Sequence, residues 1–285
     1  MARLRHLLFL VNRHKPGAEA LAAELAGQAR AGGAEARIST AFPVDPDLLE
    51  GVDLCLVVGG DGTLLGVVEA ASRGHVPVLG VNLGRLGFIT GFTPESIRNA
   101  FPGILKGALC CRRLTVLGCR GPTRGPFHAL NDVVIKARSS RLIRLEVYCE
   151  QEYMNTYHAD GLILSTPTGS TAYSLSAGGP IVHPSARVLV VTPINPHTLS
   201  NRAIVLDDSH TLRVDHRGEH EEIQVSADGQ EIFRDGVEFP IEAGILPDRF
   251  FPLVQPEGYS HYYVLRNKLR WTGDAVFSHP SGGSA

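Results

Sequence analysis

Cysteine, lysine and long apolar runs are all scarce in this chain, and each scarcity excludes a class of function. The five cysteines (Cys55, Cys110, Cys111, Cys119 and Cys149) are odd in number and none forms a CxxC pair. A structural zinc site or a disulfide framework therefore has no basis in the sequence, and a reducing cytoplasm is the expected compartment. His216 and His220 stand close together without a second ligand pair nearby, so solvated histidines are expected there rather than a metal site. Only four of the 27 basic residues are lysine, and the basic residues balance 29 acidic ones to a net charge of −2. Neither nucleic acid nor an acidic membrane surface is an expected partner of such a chain. The apolar run Leu7–Val11 is broken by Asn12 and Arg13, and no later run reaches the ~18 residues of a membrane-spanning helix. Missing too are the GxxxxGK[ST] P-loop, the GxGxxG dinucleotide fingerprint and the HRD and DFG elements of protein kinases.

What remains is a globular balance of 44% hydrophobic and 20% charged residues over 285 positions, room for about two domains. The first hundred residues alternate strand and helix patterns. Leu7–Val11 reads as a buried strand, and Ala18, Leu21, Ala22, Leu25 and Ala29 share one face of the next helix, which Gly32-Gly33 stops. Val52–Val58 and Val76–Val81 read as further strands, with Leu64–Ser72 as the helix between them. Such alternation predicts a parallel sheet covered on both faces, with ligands bound beyond the carboxyl ends of its strands. From about Leu114 the period becomes two: Ile143, Leu145, Val147 and Cys149 alternate with Arg144, Glu146, Tyr148 and Glu150. Leu212–Val214 and Ile223–Val225 are similar, and Asp228-Gly229 and Asp235-Gly236 are hairpin-turn candidates because glycine accepts a positive φ. One helix is expected around Ala172–Ala177; Tyr262–Trp271 fits helix or strand; and the polar tail Ser278–Ala285 is expected to fray. The expected architecture is an α/β domain over residues 1–112 and a mostly-β, sandwich-like domain over 113–261, with residues from about 262 to 285 packing back on the first.

Three stretches carry residue types that chemistry needs. In Gly59-Gly60-Asp61-Gly62-Thr63 the glycines let backbone N–H groups approach phosphate closely, and the helix that follows adds positive partial charge. Gly59, Gly60, Gly62 and Thr63 are thus phosphate-binding candidates, and Asp61 can reach a substrate hydroxyl or a magnesium ion. One or two glycines would suffice for a plain turn; three around one acid favour a functional one. The segment Asp160–Pro180 is dense in hydroxyls and small residues, suited to adenine and ribose edges, with Tyr173 placed to stack on a base. The plain alternative is a connection whose Ser and Thr cap a helix, but so long a loop is seldom only a connector. Asn131-Asp132, just ahead of Val133–Ile135, offers acceptors and a donor that fit both hydroxyls of a ribose, although an isolated dipeptide of this kind is more often a turn.

In order along nearly the whole chain, GGDGTLL (59–65), NLGRLGFIT (82–90), NDVVI (131–135), DGLILSTPTGSTAYSLSAGGPIVHP (160–184), PHTLSNRAIVL (196–206) and the Asp228-Gly229-Gln230 turn resemble the NAD kinase family. The segment 160–184 is highly specific; the GGDGT turn alone has relatives in diacylglycerol and sphingosine kinases and in phosphofructokinases. The resemblance implies a Rossmann-like or phosphofructokinase-like α/β domain, a β domain and a site between them. It implies transfer of the γ-phosphoryl of ATP to the 2′-hydroxyl of the adenosine ribose of NAD, a divalent metal, commonly magnesium, and a homo-oligomer, dimer or tetramer. By position, Asp61 resembles the catalytic aspartate, with Gly62 beside it, and Asn131 and Asp132 the pair that holds the dinucleotide ribose. Thr171, Ala172, Tyr173, Ser174, Leu175 and Ser176 resemble the segment that grips adenine and its ribose, and Asp160 the acid at the nicotinamide end. Arg141, His158, Asn195 and Gln230 fall at further dinucleotide-contact positions. This chain has Asp132 where many members have Glu, and His158 where arginine is common; histidine, unlike arginine, is not a permanent cation. The rival readings are a lipid or sugar kinase on the same turn and a dinucleotide sensor without catalysis. A lipid kinase calls for a hydrophobic groove or basic surface, and simple binding needs no acid at position 61. As a residue of a polar turn with little packing, Asp61 is expected to accept Asn with almost no change in melting temperature.

Overall fold

The runs Leu7–Val11, Leu54–Val58 and Val78–Val81 are apolar at nearly every position, so both of their faces have to be covered. The structure, a computed structural model, describes residues 3–84, 87–139, 141–198, 200–218, 222–233 and 236–271. His220, Asp235, residues 85–86 of NLGRLGFIT, Leu199 and the tail Ser278–Ala285 lie outside the described residues. In chain order the first half comprises β1 (His6–Val11), α1 (Ala18–Ala31), β2 (Glu35–Ser39), β3 (Leu54–Gly59), α2 (Asp61–Leu65), α3 (Val68–Gly74), β4 (Val78–Asn82) and α4 (Pro94–Leu105). The strands pair in parallel in the order β2-β1-β3-β4. One face is closed by α1 and α4 around Phe9, Leu25, Leu56 and Phe101, the other by α2 and α3 around Leu10, Val57, Leu64 and Val68. The helix expected over Leu64–Ser72 is two helices. The first begins at Asp61 itself, and the chain turns at Gly66-Val67, where glycine favours helix poorly, before the second starts.

The second half comprises β5 (Cys111–Arg120), β6 (Phe127–Ala129), β7 (Asp132–Ala137), β8 (Ile143–Cys149), β9 (Glu152–Ala159), β10 (Gly161–Ser165), α5 (Tyr173–Ser176), β11 (Val188–Ile194), β12 (Ile204–Asp207), β13 (Thr211–His216), β14 (Ile223–Ala227), β15 (Gln230–Glu231), β16 (Ile241–Val254) and α6 (His261–Leu269). Among the described residues β12-β11-β10-β7-β14-β15 form a six-stranded sheet. It faces the strands β16-β13-β8-β9, and the apolar sides of the two layers meet around Val133, Ile135, Leu145, Val147, Tyr157, Leu162 and Leu164. The inward positions of β8 are the ones its period-two pattern marks. One strand, β16, is long enough to serve both halves: Ile241–Gly244 pairs antiparallel with β13, and Leu253-Val254 pairs in parallel with β4. The parallel sheet therefore runs on into the β half without a break in hydrogen bonding.

Two turns show how locally the chain is specified. Asp228 and Gly229 close the β14–β15 hairpin with φ of 48° and 79°, the left-handed pair that a two-residue hairpin turn requires. The segment 262–271, compatible with helix or strand, is helical as α6, its first turn capped by Ser260 Oγ accepting from the Tyr263 N–H. Just before it, the Tyr259 hydroxyl donates to the Phe88 carbonyl, and the Lys268 ammonium lies over the Phe88 ring, so this segment contacts the loop after β4.

Gly169 opens a 3-10 turn ahead of α5, and a Cβ there would overlap the backbone carbonyl of Asn131. Because backbone on both sides must move, Gly169→Ala is expected to lower stability by about 1–3 kcal/mol in urea titrations. A loss below ~0.5 kcal/mol would show that the loop yields freely.

Candidate active site

In the order β2-β1-β3-β4 the chain leaves β1 toward one edge of the sheet and later returns to its other side, so the ligand crevice is expected beyond β1 and β3. A cleft of about 690 Å³ opens there. It is lined by Asn12, Arg13, His14 and Lys15 after β1, Thr40 and Phe42 after β2, and Gly60, Asp61, Gly62 and Thr63 after β3. The reading of the sequence missed the first six. Their signal was present in Asn12-Arg13, a polar break at the carboxyl end of a buried strand.

Asp61 is anchored rather than loose. Its Oδ2 accepts from the Phe88 N–H at 2.8 Å, and its Oδ1 accepts from the Thr90 N–H at 2.9 Å, the Thr90 hydroxyl at 2.7 Å and the Ile89 N–H at 3.3 Å. Thr90 is fully buried, and its hydroxyl accepts in turn from the Asn82 amide at 3.2 Å. A Cβ at Gly87 would overlap both the Asp61 carboxylate and the Thr90 hydroxyl, so glycine is needed where this loop closes on the acid. A carboxylate offers about four acceptor positions. Three donors on Oδ1 and one on Oδ2 leave Oδ2 as the oxygen open to a substrate hydroxyl. Thr63, a phosphate-binding candidate, is buried, and its Oγ1 accepts from the Asn12 amide at 3.1 Å and the Gly60 N–H at 3.5 Å. Gly59 packs directly on that side chain, whereas a Cβ at Gly60 or Gly62 would meet nothing within 4 Å, which leaves those two open to a ligand.

The second cluster gathers on the six-stranded sheet. Asn131 is half-buried and Asp132 buried at the start of β7. Burial, with the nearby Asp228 carboxylate adding to it, raises Asp132 to about 7, against the opposing pull of the Tyr173 N–H. Asp228 is likewise raised by burial, to about 6, although three backbone N–H groups bond to it. Both acids hold protons more tightly folded than unfolded, so this pair favours the folded state most at low pH. That contribution declines as pH rises from about 4 to about 7.

Within 171–176 the side chains divide by partner. The buried Ser174 hydroxyl pairs with that of Thr192 at 2.9 Å, and Thr171 Oγ1 donates to the Thr168 carbonyl at 3.3 Å. Tyr173 is 41% exposed, Ser176 is exposed, and Ala172 and Leu175 are half-buried. Asp160 accepts from the Asn195 amide at 2.9 Å, with Asn195 held at φ 44°. Arg141, His158 and Gln230 are exposed. The His158 carbonyl accepts from the His197 N–H, and Gln230 lies on the hairpin beside Asp228.

A glycine-lined crevice at the reversal point of a parallel sheet, with an acid held immobile at its mouth, defines a phosphotransferase of the GGDGT type. Comparison with known proteins is specific. The family model of the ATP-NAD kinase N-terminal domain matches residues 36–109, and that of the ATP-NAD kinase C-terminal domain matches residues 130–238. An NAD kinase of Syntrophotalea carbinolica is 42% identical over 230 residues, covering 77% of this chain and 79% of that protein. One of Methylococcus capsulatus is 40% identical over 233 residues, covering 80% of each. Two solved structures share the fold: a yeast NADH kinase complexed with NADH (TM-score 0.86, 24% identity, 98% of this chain and 91% of that one) and an Archaeoglobus fulgidus NAD kinase in complex with ATP (TM-score 0.77, 23% identity, 94% and 100%). The chain belongs to the NAD kinase family.

The anchoring of Asp61 argues against the expectation that asparagine would move the melting temperature little. An amide nitrogen in place of either oxygen would face at least one backbone N–H, so Asp61→Asn is expected to lower the melting temperature as well as kcat, the latter by ~10²–10⁴. Thr90→Val, which keeps the side chain's size, should lower kcat with little change in KM for NAD, and Thr90→Ser should restore it. Wild-type kcat in Asp61→Asn would remove Asp61 from the chemistry.

Proposed function

We infer that this chain transfers the γ-phosphoryl of ATP to the 2′-hydroxyl of the adenosine ribose of NAD, giving NADP, with NAD lying across the junction of the two halves. The carrying observation is the Asp61 carboxylate, fixed by Phe88, Ile89 and Thr90 with Oδ2 open at the mouth of the glycine-lined cleft. The triphosphate of the donor lies in that cleft, against the backbone of Gly60 and Gly62 and the side chains of Arg13, His14 and Lys15. The ribose hydroxyl binds Oδ2 and attacks the γ-phosphorus in line with departing ADP. Such transfer depends mostly on positioning and charge neutralisation, so Asp61 orients the hydroxyl first and takes its proton late. Asn131 and Asp132 hold the dinucleotide ribose, Tyr173 and its neighbours the adenine, and Asp160 with Asn195 the nicotinamide end, with Arg141, His158 and Gln230 at the outer contacts. The ligands named for the two structural relatives, NADH and ATP, support both substrates.

A divalent metal fits only as a companion of the phosphates. No group of three or more His, Cys, Asp or Glu side chains among the described residues could hold one alone. Magnesium commonly takes one or two carboxylates plus substrate phosphates, but the open position on Asp61 goes to the ribose hydroxyl, so the ion would be held by the phosphates of ATP. Bound there, it would neutralise phosphate charge.

The chain is further proposed to act as a homo-oligomer, dimer or tetramer, in the cytoplasm. Edge strand β12 exposes Val205, and exposed sheet edges are usually paired or covered. The five free cysteines suit a reducing compartment, and among the described residues no helix is long and apolar enough to cross a membrane.

Incubation with ATP, magnesium and NAD, diacylglycerol or fructose 6-phosphate tests the activity: NADP as the product supports it, and either other phosphorylated product overturns it. Tyr173→Ala is expected to weaken NAD binding by ~1–3 kcal/mol in calorimetry if the ring stacks on adenine. Normal binding with a lowered melting temperature would make Tyr173 a packing residue instead. Sedimentation at micromolar concentration showing only 30.7 kDa would exclude the oligomer.

A further inference from the structure

Near the proposed site the backbone of Leu130-Asn131-Asp132 is held at every polar group, and two residues, Asp228 and Thr166, hold it. Asp228 Oδ2 accepts from the Leu130 N–H at 2.8 Å, while Oδ1 accepts from the Asn131 N–H at 2.7 Å and the Asp132 N–H at 3.3 Å. The Asp228 N–H returns a bond to the Asp132 carbonyl at 2.9 Å. On the other side the Thr166 N–H donates to the Asn131 carbonyl and the Thr166 hydroxyl to the Leu130 carbonyl. All six backbone polar groups of 130–132 are thereby held, so neither side chain is needed to satisfy its own backbone; the Asp132 carboxyl is met by the Tyr173 N–H.

We propose that Asp228 is a positioning residue for dinucleotide binding, its carboxylate clamping the entry to β7 so that Asn131 and Asp132 meet the ribose in one fixed geometry. This rests on the reading of Asn131-Asp132 as the ribose-holding pair. The hairpin by itself does not call for an acid. Asparagine before glycine is the preferred pair for such a turn and tolerates its left-handed backbone at least as well. A carboxylate differs in having acceptors on both oxygens and no N–H, which three converging backbone donors require. Its position also places a second acid beside the buried Asp132. The titratable groups facing Asp228 are Asp132 from β7 and, across a small cavity of about 150 Å³, Glu69 from α3 and His128 from β6. The His128 ring is buried, and its Nε2 accepts from the Arg249 guanidinium at 3.2 Å. A purely structural turn would have no need of this crowding.

Asp228→Asn keeps the turn and puts an amide N–H against one of the three backbone donors. KM for NAD is expected to rise about tenfold with kcat changed much less. The acidic limb of kcat/KM is expected to move to lower pH, because a negative charge that burdens Asp132 has gone. A folded Asp228→Asn with unchanged KM and unchanged acidic limb would overturn the proposal. The unmodified chain supplies a second measurement, independent of whether that variant folds. Amide hydrogen exchange at 130–132, corrected for intrinsic rates, should gain protection as pH falls from about 7.5 to about 5.5, because an opening that releases Asp228 to water returns its raised carboxyl to the ordinary range and is disfavoured once it holds a proton. Protection that does not change over this range would overturn the clamp. Asn131→Ala separates the two readings: an unchanged KM for NAD sinks the ribose assignment, while the exchange measurement still decides the clamp.

Discussion

The convergence of backbone N–H groups on the Asp61 carboxylate is the interaction on which the rest of the site depends. It ties the turn after β3 to the loop after β4, two segments that a parallel sheet would otherwise leave as separate excursions. With the acid fixed, Gly87 must stay bare to let the loop close, and Phe88 is held where its carbonyl accepts from Tyr259 and its ring lies under Lys268. The segment leading into α6 is therefore connected to the GGDGT turn through one residue. An acid held in this way needs little reorganisation of its own when a ligand arrives.

The same device recurs at Asp228. There too a carboxylate satisfies consecutive backbone N–H groups of a segment far away in sequence, and a threonine, Thr166, holds the carbonyls opposite. Thr63, Thr90 and Thr166 each use the hydroxyl inside the protein, bonding to neighbouring backbone or side chains. Backbone groups left without partners in these loops would cost free energy comparable to a lost hydrogen bond each. Satisfying them with short side chains lets glycine-rich, irregular segments stand still beside a cleft. Stillness also restricts chemistry: most of the acceptor capacity of Asp61 is spent on structure, and only Oδ2 keeps an open position.

Much of the architecture was legible in local pattern. Continuous apolar runs marked β1, β3 and β4 but not β2, whose Glu35 and Arg37 break the pattern at the sheet edge; alternation marked β8, a helical spacing of alanine and leucine marked α1, and Asp228-Gly229 marked its hairpin. Each is a matter of period or turn chemistry within a few residues, and such signals survive without knowledge of the fold. The break between α2 and α3 was not legible, because the apolar spacing continues across Gly66-Val67 while the backbone does not. The glycine-flanked Asp61 and the Asn131-Asp132 pair stood out by composition alone, before any partner was known.

What the sequence by itself determined is which stretches are rich in chemically capable residues and where most strands and helices run, since those follow from side-chain type and short-range spacing. Only the tertiary structure decided what holds the chemistry in place. Asp61 meets Thr90 at a separation of 29 residues and Asp228 meets Leu130 at 98, and no periodicity links positions so far apart. The lining of the cleft by Asn12, Lys15 and Phe42 likewise follows from strand order, a property of the assembled sheet. Hydrogen bonds between distant segments depend on how the packed strands bring those segments together, so their partners cannot be read from either segment alone.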